Sequence, residues 1–153
     1  MLGLNEDFRD LLVALFQQKA SYLIVGAHAM AVHGVPRATG DLDIWVRPDP
    51  DNAKRVLRAL VDFGAPVEAM GVTHRDLAVP GVVYQIGLPP RRIDILTEIS
   101  GIEFDAAWPS RSTQTLEDIE VPFLGRDALL LNKKTSGRAK DLLDIELLEH
   151  QAR

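Results

Sequence analysis

A chain of 153 residues, 46% of them hydrophobic, is long enough to bury one ordinary core, so we expect a single domain over residues 1–153. It contains no cysteine, which excludes disulfides and thiolate metal sites and leaves carboxylates, histidines and main-chain oxygens to hold any metal ion. A net charge of −5 argues against a broad nucleic-acid-binding surface, although basic residues gather in the C-terminal half in a way that suits a phosphate-bearing small ligand.

Two features of the chain bear on its location. Residues 1–10 carry acidic side chains and no apolar stretch behind a basic region, so we expect no secretory signal. The longest apolar runs are far shorter than a membrane-spanning helix requires. We therefore expect a cytoplasmic protein with no membrane partner.

The hydrophobic pattern alternates between helical and strand periodicity. Asn5 is placed to cap the first helix, and Gly64 stands where the C-cap glycine of the third helix belongs. Residues 65–80 give no clear pattern, and a tight connection over residues 87–90 indicates a hairpin. In chain order we predict a helix over 5–18, a strand over 22–25, a helix over 27–33, a strand over 41–46, a helix over 51–63, strands over 82–86 and 93–96, a short helix over 104–108, a strand over 121–124, and helices over 127–134 and 139–150. This order predicts an α+β fold, a small mixed sheet with helices mainly on one side and helices at the C-terminal end.

The second predicted strand carries the sequence Asp41-Leu42-Asp43-Ile44. Side chains two residues apart point to the same face of a strand, so Asp41 and Asp43 stand side by side while Leu42 and Ile44 face the core. Two neighbouring carboxylates repel each other, and without a compensating cation one of them tends to keep its proton. The pair is therefore either solvated or part of a metal site.

A third carboxylate and an upstream glycine favour the metal site. Asp94 lies between Ile93 and Ile95 on a later predicted strand, where a charge flanked by core residues needs a partner. Gly26 ends the first strand in a turn that lets a phosphate approach the main chain. Three strand-borne carboxylates suit a pair of Mg²⁺ or Mn²⁺ ions that also bind triphosphate oxygens, which is the chemistry of nucleotidyl transfer.

These residues resemble the signature of the polymerase beta-like nucleotidyltransferase superfamily. In that signature a glycine and a small residue, here Gly26 and Ala27, precede a strand with paired acids, and a third acid, here Asp94, lies on a later strand. Many members have glycine or serine at the position of Ala27, so the serine hydroxyl is missing here. The wider match is similar to the stand-alone bacterial branch that includes AbiEii-type abortive-infection toxins, and it runs through VGAHA at 25–29, TGDLD at 39–43, RIDIL at 92–96, NKK at 132–134 and GRAKDL at 137–142.

The resemblance implies a nucleotidyltransferase fold and a role for each matched residue. Asp41 and Asp43 would bind the metal ions, and Asp94 would complete the catalytic site and help to deprotonate the acceptor. The implied partners are a nucleoside triphosphate and an unidentified hydroxyl acceptor, which is a small molecule, an RNA end or a protein. A homodimer or a partner protein that finishes the acceptor site stays open. Binding of the triphosphate would fall to main-chain and basic groups at Gly26, Ala27, His28, Arg37, Lys133 and Arg138.

Several of these residues also have a structural interpretation. A histidine beside a helix start, such as His28, is as often a structural hydrogen-bonding residue as a ligand. Asp141 and Asp144 lie three apart on a predicted helix and are expected to make local salt bridges with basic neighbours such as Arg138. Trp45, beside the paired acids, is expected to pack in the core and not to stack on a base. The alternative function is a non-catalytic or regulatory nucleotide-binding module, such as one half of a toxin–antitoxin pair.

Overall fold

The computed structural model describes residues 5–37, 40–88 and 91–151, and it confirms the α+β class. Its strands are β1 (Tyr22–Val25), β2 (Leu42–Val46), β3 (Val83–Ile86), β4 (Ile93–Leu96), β5 (Ser112–Leu116) and β6 (Ile119–Phe123). Its helices are α1 (Glu6–Gln17), α2 (Gly26–Val32), α3 (Pro50–Phe63), α4 (Val67–Met70), α5 (His74–Leu77), α6 (Phe104–Ala107), α7 (Arg126–Ser136) and α8 (Ala139–Gln151). None of these helices, in the part of the chain that is described, is long and apolar enough to cross a membrane.

The strands form one mixed sheet in the order β3-β4-β2-β1-β6-β5. The β1–β2 pair is antiparallel, whereas β1–β6 and β2–β4 are parallel, and antiparallel partners β3 and β5 lie at the two edges. Strands β1, β2 and β4 at the centre are almost continuously buried, as expected of strands that are covered on both faces. Asp43 and Asp94 therefore lie on neighbouring strands in the middle of the sheet, and Asp41 directly precedes β2.

The helix ends follow the capping residues in the sequence. The Asn5 side chain accepts a hydrogen bond from the Phe8 amide at 2.9 Å, and Gly64 ends α3 with a left-handed φ of 93°. Buried Asn52, in the first turn of α3, binds both the amide and the carbonyl of Ser21 as well as the carbonyl of Arg47. The Asn52 side chain thus connects the start of β1 to the end of β2 and stabilises this antiparallel pair.

The structure adds elements that the pattern did not predict. Residues 65–80 contain the two short helices α4 and α5, each only one turn long. Strand β5 was missed because its sequence, STQTL, is polar and mostly exposed, and it exists by pairing with β6. The hairpin of β3 and β4 is confirmed. Residues 89–90 of its connection, and residues 38–39, which include Thr39 of the matched motif, lie outside the described residues.

Helices α7 and α8 pack against each other at the C-terminal end of the chain. They are separated at Gly137, which has a left-handed φ of 64°, so the predicted break at this position is confirmed. Several leucines on this helical pair are exposed, whereas Asp141 and Asp144 of α8 and Lys133 of α7 are buried. The pair therefore buries charged groups between its helices.

Candidate active site

Asp43 and Asp94 are direct partners across the parallel strands β2 and β4. Leu42 and Ile44 flank Asp43 and are completely buried, which confirms the alternation that the sequence predicts. Asp94 is itself buried, with a residue exposure of 9%. Two carboxylates are therefore held next to each other by the register of two central strands.

The electrostatics of Asp43 show that this arrangement leaves negative charge uncompensated. The pKa of Asp43 is raised from 3.8 to about 6, first by burial, then by the charges of Asp94 and Asp41 and by a hydrogen bond shared with Asp94. The guanidinium of Arg92 opposes this rise only in part. A group with these neighbours attracts a cation at neutral pH.

Gly26 leaves room for the Asp43 carboxylate. Helix α2 begins at Gly26, whose φ of +69° lies in the left-handed region that favours glycine. A Cβ atom built on Gly26 would collide with Oδ2 of Asp43. Glycine is thus needed at position 26 for two reasons: its backbone conformation and the close approach of the Asp43 carboxylate. The same contact places the first turn of α2, with Ala27, beside Asp43.

Arg92 joins the carboxylates in a way that sequence reasoning missed. Its Nε donates to Oδ1 of Asp94 at 2.8 Å, and its Nη2 donates to Oδ2 of Asp94 and to Oδ2 of Asp41, both at 3.2 Å. The signal was available, because Arg92 precedes Asp94 by two residues and side chains at that spacing share a strand face. What the local pattern does not contain is the contact with Asp41, which lies 51 residues away in the chain.

The chemistry of these donors fits a hard divalent cation such as Mg²⁺ or Mn²⁺. Carboxylate oxygens are the ligands that such ions prefer, and the raised pKa of Asp43 reports charge that a cation would neutralise. Among the described residues, however, no three acidic or histidine side chains already converge on one point where an ion would sit. Asp41 and Asp94 meet through the guanidinium of Arg92 instead.

His28 lies in the first turns of α2, close to the same carboxylates. Burial lowers its pKa, and a hydrogen bond with the backbone of Asp41 opposes that effect. The ring meets Phe8 edge-on with centroids 6.0 Å apart, and its Nδ1 has no hydrogen-bond partner among the described residues. Burial thus favours the neutral form of the His28 imidazole, which contacts the main chain of Asp41.

The basic residues expected at the triphosphate form a cluster with two buried acids of α8. Nζ of Lys133 lies 2.9 Å from Asp144 and 3.5 Å from Asp141, and its side chain is only 10% exposed. Arg37 also pairs with Asp144, and Arg138 pairs with Asp141 at 2.8 Å, as the expected local salt bridge. Arg37 and Arg138 keep part of their surface in solvent, whereas Lys133 does not.

Two cavities in the described part of the chain are formed by residues other than the three aspartates. One cavity of about 520 Å³ is lined by Trp45, Thr97, Phe104 and several acidic side chains, and another of about 580 Å³ lies near Tyr22 and Trp108. Trp45 is buried and packs edge-on against Phe104 with ring centroids 5.1 Å apart, as expected for a core residue. Neither cavity is lined by Asp41, Asp43 or Asp94.

Comparisons with known proteins identify the fold. No family model and no curated protein matches the sequence. Several solved structures are similar. The match to TM1012 from Thermotoga maritima, a candidate nucleotidyltransferase, covers 94% of this chain and 91% of that protein at 15% identity and a TM-score of 0.58. The lincosamide antibiotic adenylyltransferase LnuA, solved with lincomycin bound, covers 95% and 96% at 17% identity and a TM-score of 0.56. The chain therefore has the fold of nucleotidyltransferases.

Proposed function

We propose that this protein is a metal-dependent nucleotidyltransferase, which moves a nucleoside monophosphate from a nucleoside triphosphate to a hydroxyl acceptor. The observation that supports it most is the Asp43–Asp94 pair, held across two central parallel strands with Asp41 nearby and with Gly26 lacking a side chain beside it. The structural neighbours support the same class, because both carry nucleotidyl transfer in their names.

In this proposal the three aspartates provide the oxygens that bind Mg²⁺ or Mn²⁺. When bound, the metal ions neutralise the phosphates and lower the pKa of the attacking hydroxyl. Asp41 and Asp43 hold the triphosphate side of the site, and a carboxylate oxygen of Asp94 accepts the proton of the acceptor hydroxyl. Asp94 is buried and Asp43 is partly buried between core residues, so both carboxylates are placed by the central strands, as electrostatic stabilisation of a transition state requires.

We assign triphosphate binding to the groups that flank these acids. The main chain of Gly26 and Ala27 lies beside Asp43, and His28 follows in the same helix. Arg37 and Arg138 are partly exposed and carry planar guanidinium groups that suit phosphate oxygens. Lys133 contacts phosphate directly only if its cluster opens, and in the described arrangement it positions Arg37 through their shared partner Asp144.

The test is incubation with nucleoside triphosphates labelled at the α-phosphate, with Mg²⁺ or Mn²⁺ and a panel of hydroxyl acceptors. Small hydroxylated molecules enter the panel first, because the LnuA structure contains lincomycin; RNA ends and the protein itself follow. We expect pyrophosphate release that disappears with EDTA and in Asp43→Asn. Asp118→Asn is the matched control, because Asp118 is exposed in the turn between β5 and β6.

Nucleotide affinity measured by calorimetry, taken together with the transfer assay, distinguishes an enzyme from a regulatory module. We expect ATP or GTP to bind weakly in EDTA and much more tightly with Mg²⁺, because triphosphate and carboxylates repel each other until a cation intervenes. Metal-dependent nucleotide binding without pyrophosphate release from any acceptor would identify a regulatory module instead. Equal affinity with and without metal would contradict the metal site itself.

A further inference from the structure

Building on the proposed function, we infer that Arg92 is a switch: it bridges Asp41 and Asp94 while the site is free of metal, gives way to the divalent cation, and then binds the phosphates of the nucleotide. No role in nucleotide binding follows for Arg92 from the sequence signature. The inference concerns one side chain with two competing sets of partners.

The first set of partners is visible in the structure. The guanidinium donates to both oxygens of Asp94 and, through Nη2, to Oδ2 of Asp41. These are oxygens of two of the three carboxylates that the proposed function assigns to the metal. A divalent cation on these oxygens competes with the guanidinium for their lone pairs, and the two positive charges repel each other at this distance. Metal binding therefore favours movement of Arg92 away from the carboxylates.

Charge explains why a cation displaces Arg92. Three carboxylates and one guanidinium leave the cluster two charges negative when all are ionised. Asp43 lies directly opposite Asp94 in the register of β2 and β4, so the third carboxylate adds its charge to the same group of oxygens. A divalent cation supplies more charge to the same oxygens than one guanidinium does, so the exchange is favourable once the ion is present.

The chain lets the side chain of Arg92 move without disturbing the sheet. The carbonyl of Arg92 accepts a hydrogen bond from the Leu42 amide at 2.9 Å, so the backbone stays tied to β2. The side chain is 27% exposed at the start of β4. After release, a planar fork of donors stands beside the metal-binding carboxylates, and the phosphates of a metal-bound nucleotide offer it the same bidentate geometry that Asp94 offered.

The switch predicts effects of opposite sign for Arg92→Gln. Removal of the guanidinium removes the competitor of the metal, so Mn²⁺ alone should bind more tightly than it binds to wild type, by about 5- to 100-fold. The same variant lacks the phosphate partner, so the metal complex of a non-hydrolysable ATP analogue should bind more weakly, by a factor in the same range. A purely structural role of Arg92 would weaken both.

The experiment is calorimetry of Mn²⁺, and then of the Mn²⁺–analogue complex, on wild type, Arg92→Gln, Arg92→Lys and Arg91→Gln. Arg91 is the matched control, because it is the exposed neighbour with the same charge, and its variant should leave both affinities within about twofold of wild type. Arg92→Lys keeps the positive charge but loses the planar guanidinium. Its Mn²⁺ affinity should therefore rise, and its affinity for the Mn²⁺–analogue complex should fall, each by less than in Arg92→Gln. If Arg92→Gln does not fold, the same two affinities measured on Arg92→Lys test the switch.

Nuclear magnetic resonance of wild type provides a direct readout. The Nε–H signal of Arg92, identified by its absence in Arg92→Lys, should shift on titration with Mg²⁺ and shift again when the analogue is added. An unchanged signal at saturating Mg²⁺, or Mn²⁺ affinity in Arg92→Gln equal to or below that of wild type, overturns the switch while leaving nucleotidyl transfer intact. If neither wild type nor variant binds Mn²⁺, the switch fails together with the proposed function.

Discussion

The carboxylate of Asp43 occupies the space in which the side chain of residue 26 would lie, so Gly26 and Asp43 belong to one packing unit. The contact joins the end of β1 to the middle of β2, two strands that are already paired in register at Val25 and Asp43. It makes the position of a functional carboxylate depend on the absence of a single methyl group in another element.

Gly26→Ala is expected to be more destabilising than an ordinary replacement of a left-handed glycine. Gly64→Ala is the matched control, because Gly64 has a φ of 93° and open space where a Cβ would be built. The control should cost about 1–2 kcal/mol from backbone strain alone. Gly26→Ala should cost about 1–3 kcal/mol more, because the Asp43 carboxylate must shift. Urea unfolding in EDTA measures both, and equal losses would show that the close contact does not exist.

Asp43→Asn is expected to stabilise the metal-free protein at high pH. The folded-state pKa of Asp43 is raised from 3.8 to about 6, so the folded protein holds this proton more tightly than the unfolded chain does. Stability of the wild type therefore falls as pH rises from about 4 to about 6 and stays lower above that, by about 3 kcal/mol for a shift of this size.

The asparagine variant cannot ionise and should lack this loss. Unfolding curves in EDTA should show the two proteins converging near pH 4 or below and separating toward pH 8, with Asp43→Asn the more stable. Asp118→Asn, in the exposed turn, should follow the wild-type pH dependence. A stability difference between Asp43→Asn and wild type that is the same at every pH would contradict the raised pKa.

Asp94→Asn should differ from Asp43→Asn in the sign of its effect on the metal-free protein. Asp94 accepts two hydrogen bonds from Arg92, and an asparagine amide would turn a donor toward that guanidinium. The melting temperature in EDTA should therefore fall for Asp94→Asn and rise for Asp43→Asn at pH 8.

Transfer should nevertheless be lost in both variants. For Asp94→Asn we expect a fall of about 10²–10⁴-fold from loss of the group that takes the acceptor proton, with metal-dependent nucleotide binding retained. Asp43→Asn should lose nucleotide binding as well. If Asp94→Asn binds no nucleotide even where it is fully folded, Asp94 does not act on the acceptor side.

Lys133→Ala should destabilise the protein strongly, whereas Lys134→Ala should not. Lys133 is 10% exposed and pairs with Asp144, which is 2% exposed, so among the described ion pairs the alanine variant leaves Asp144 with Arg37. Leaving a buried charge without any partner costs about 3–5 kcal/mol, so with Arg37 still beside Asp144 we expect a loss of about 2–3 kcal/mol. Lys134 is 57% exposed and pairs at 3.6 Å with Glu149 on the surface, a contact worth about 0–1 kcal/mol. Chemical unfolding measures the free energy of unfolding of both variants. Similar losses in the two variants would contradict the burial of Lys133.

Much of the fold follows from local sequence patterns. Apolar spacing, Asn5 as a cap and Gly64 as a terminator locate α1 and α3 to within a residue or two, because these signals act within one or two helical turns. Strand β5 was not predictable in this way. Its polar residues carry little burial signal, and the strand is stabilised by its hydrogen bonds to β6.

The candidate acids belong to the predictable part. The sequence by itself determined that Asp43 lies on a strand between buried Leu42 and Ile44 and that Asp94 lies on a second buried strand, because side chains alternate with a period of two along any strand. The predicted strand began at Asp41, whereas β2 begins one residue later, at Leu42. Only the tertiary structure decided that β2 and β4 are parallel neighbours in the register that sets Asp43 against Asp94. It likewise decided that Arg92 bridges Asp94 and Asp41 and that Lys133 is enclosed with Asp144. The reason is physical: the partner of a charged side chain is set by which strands and helices pack together, and that depends on contacts between residues far apart in the chain.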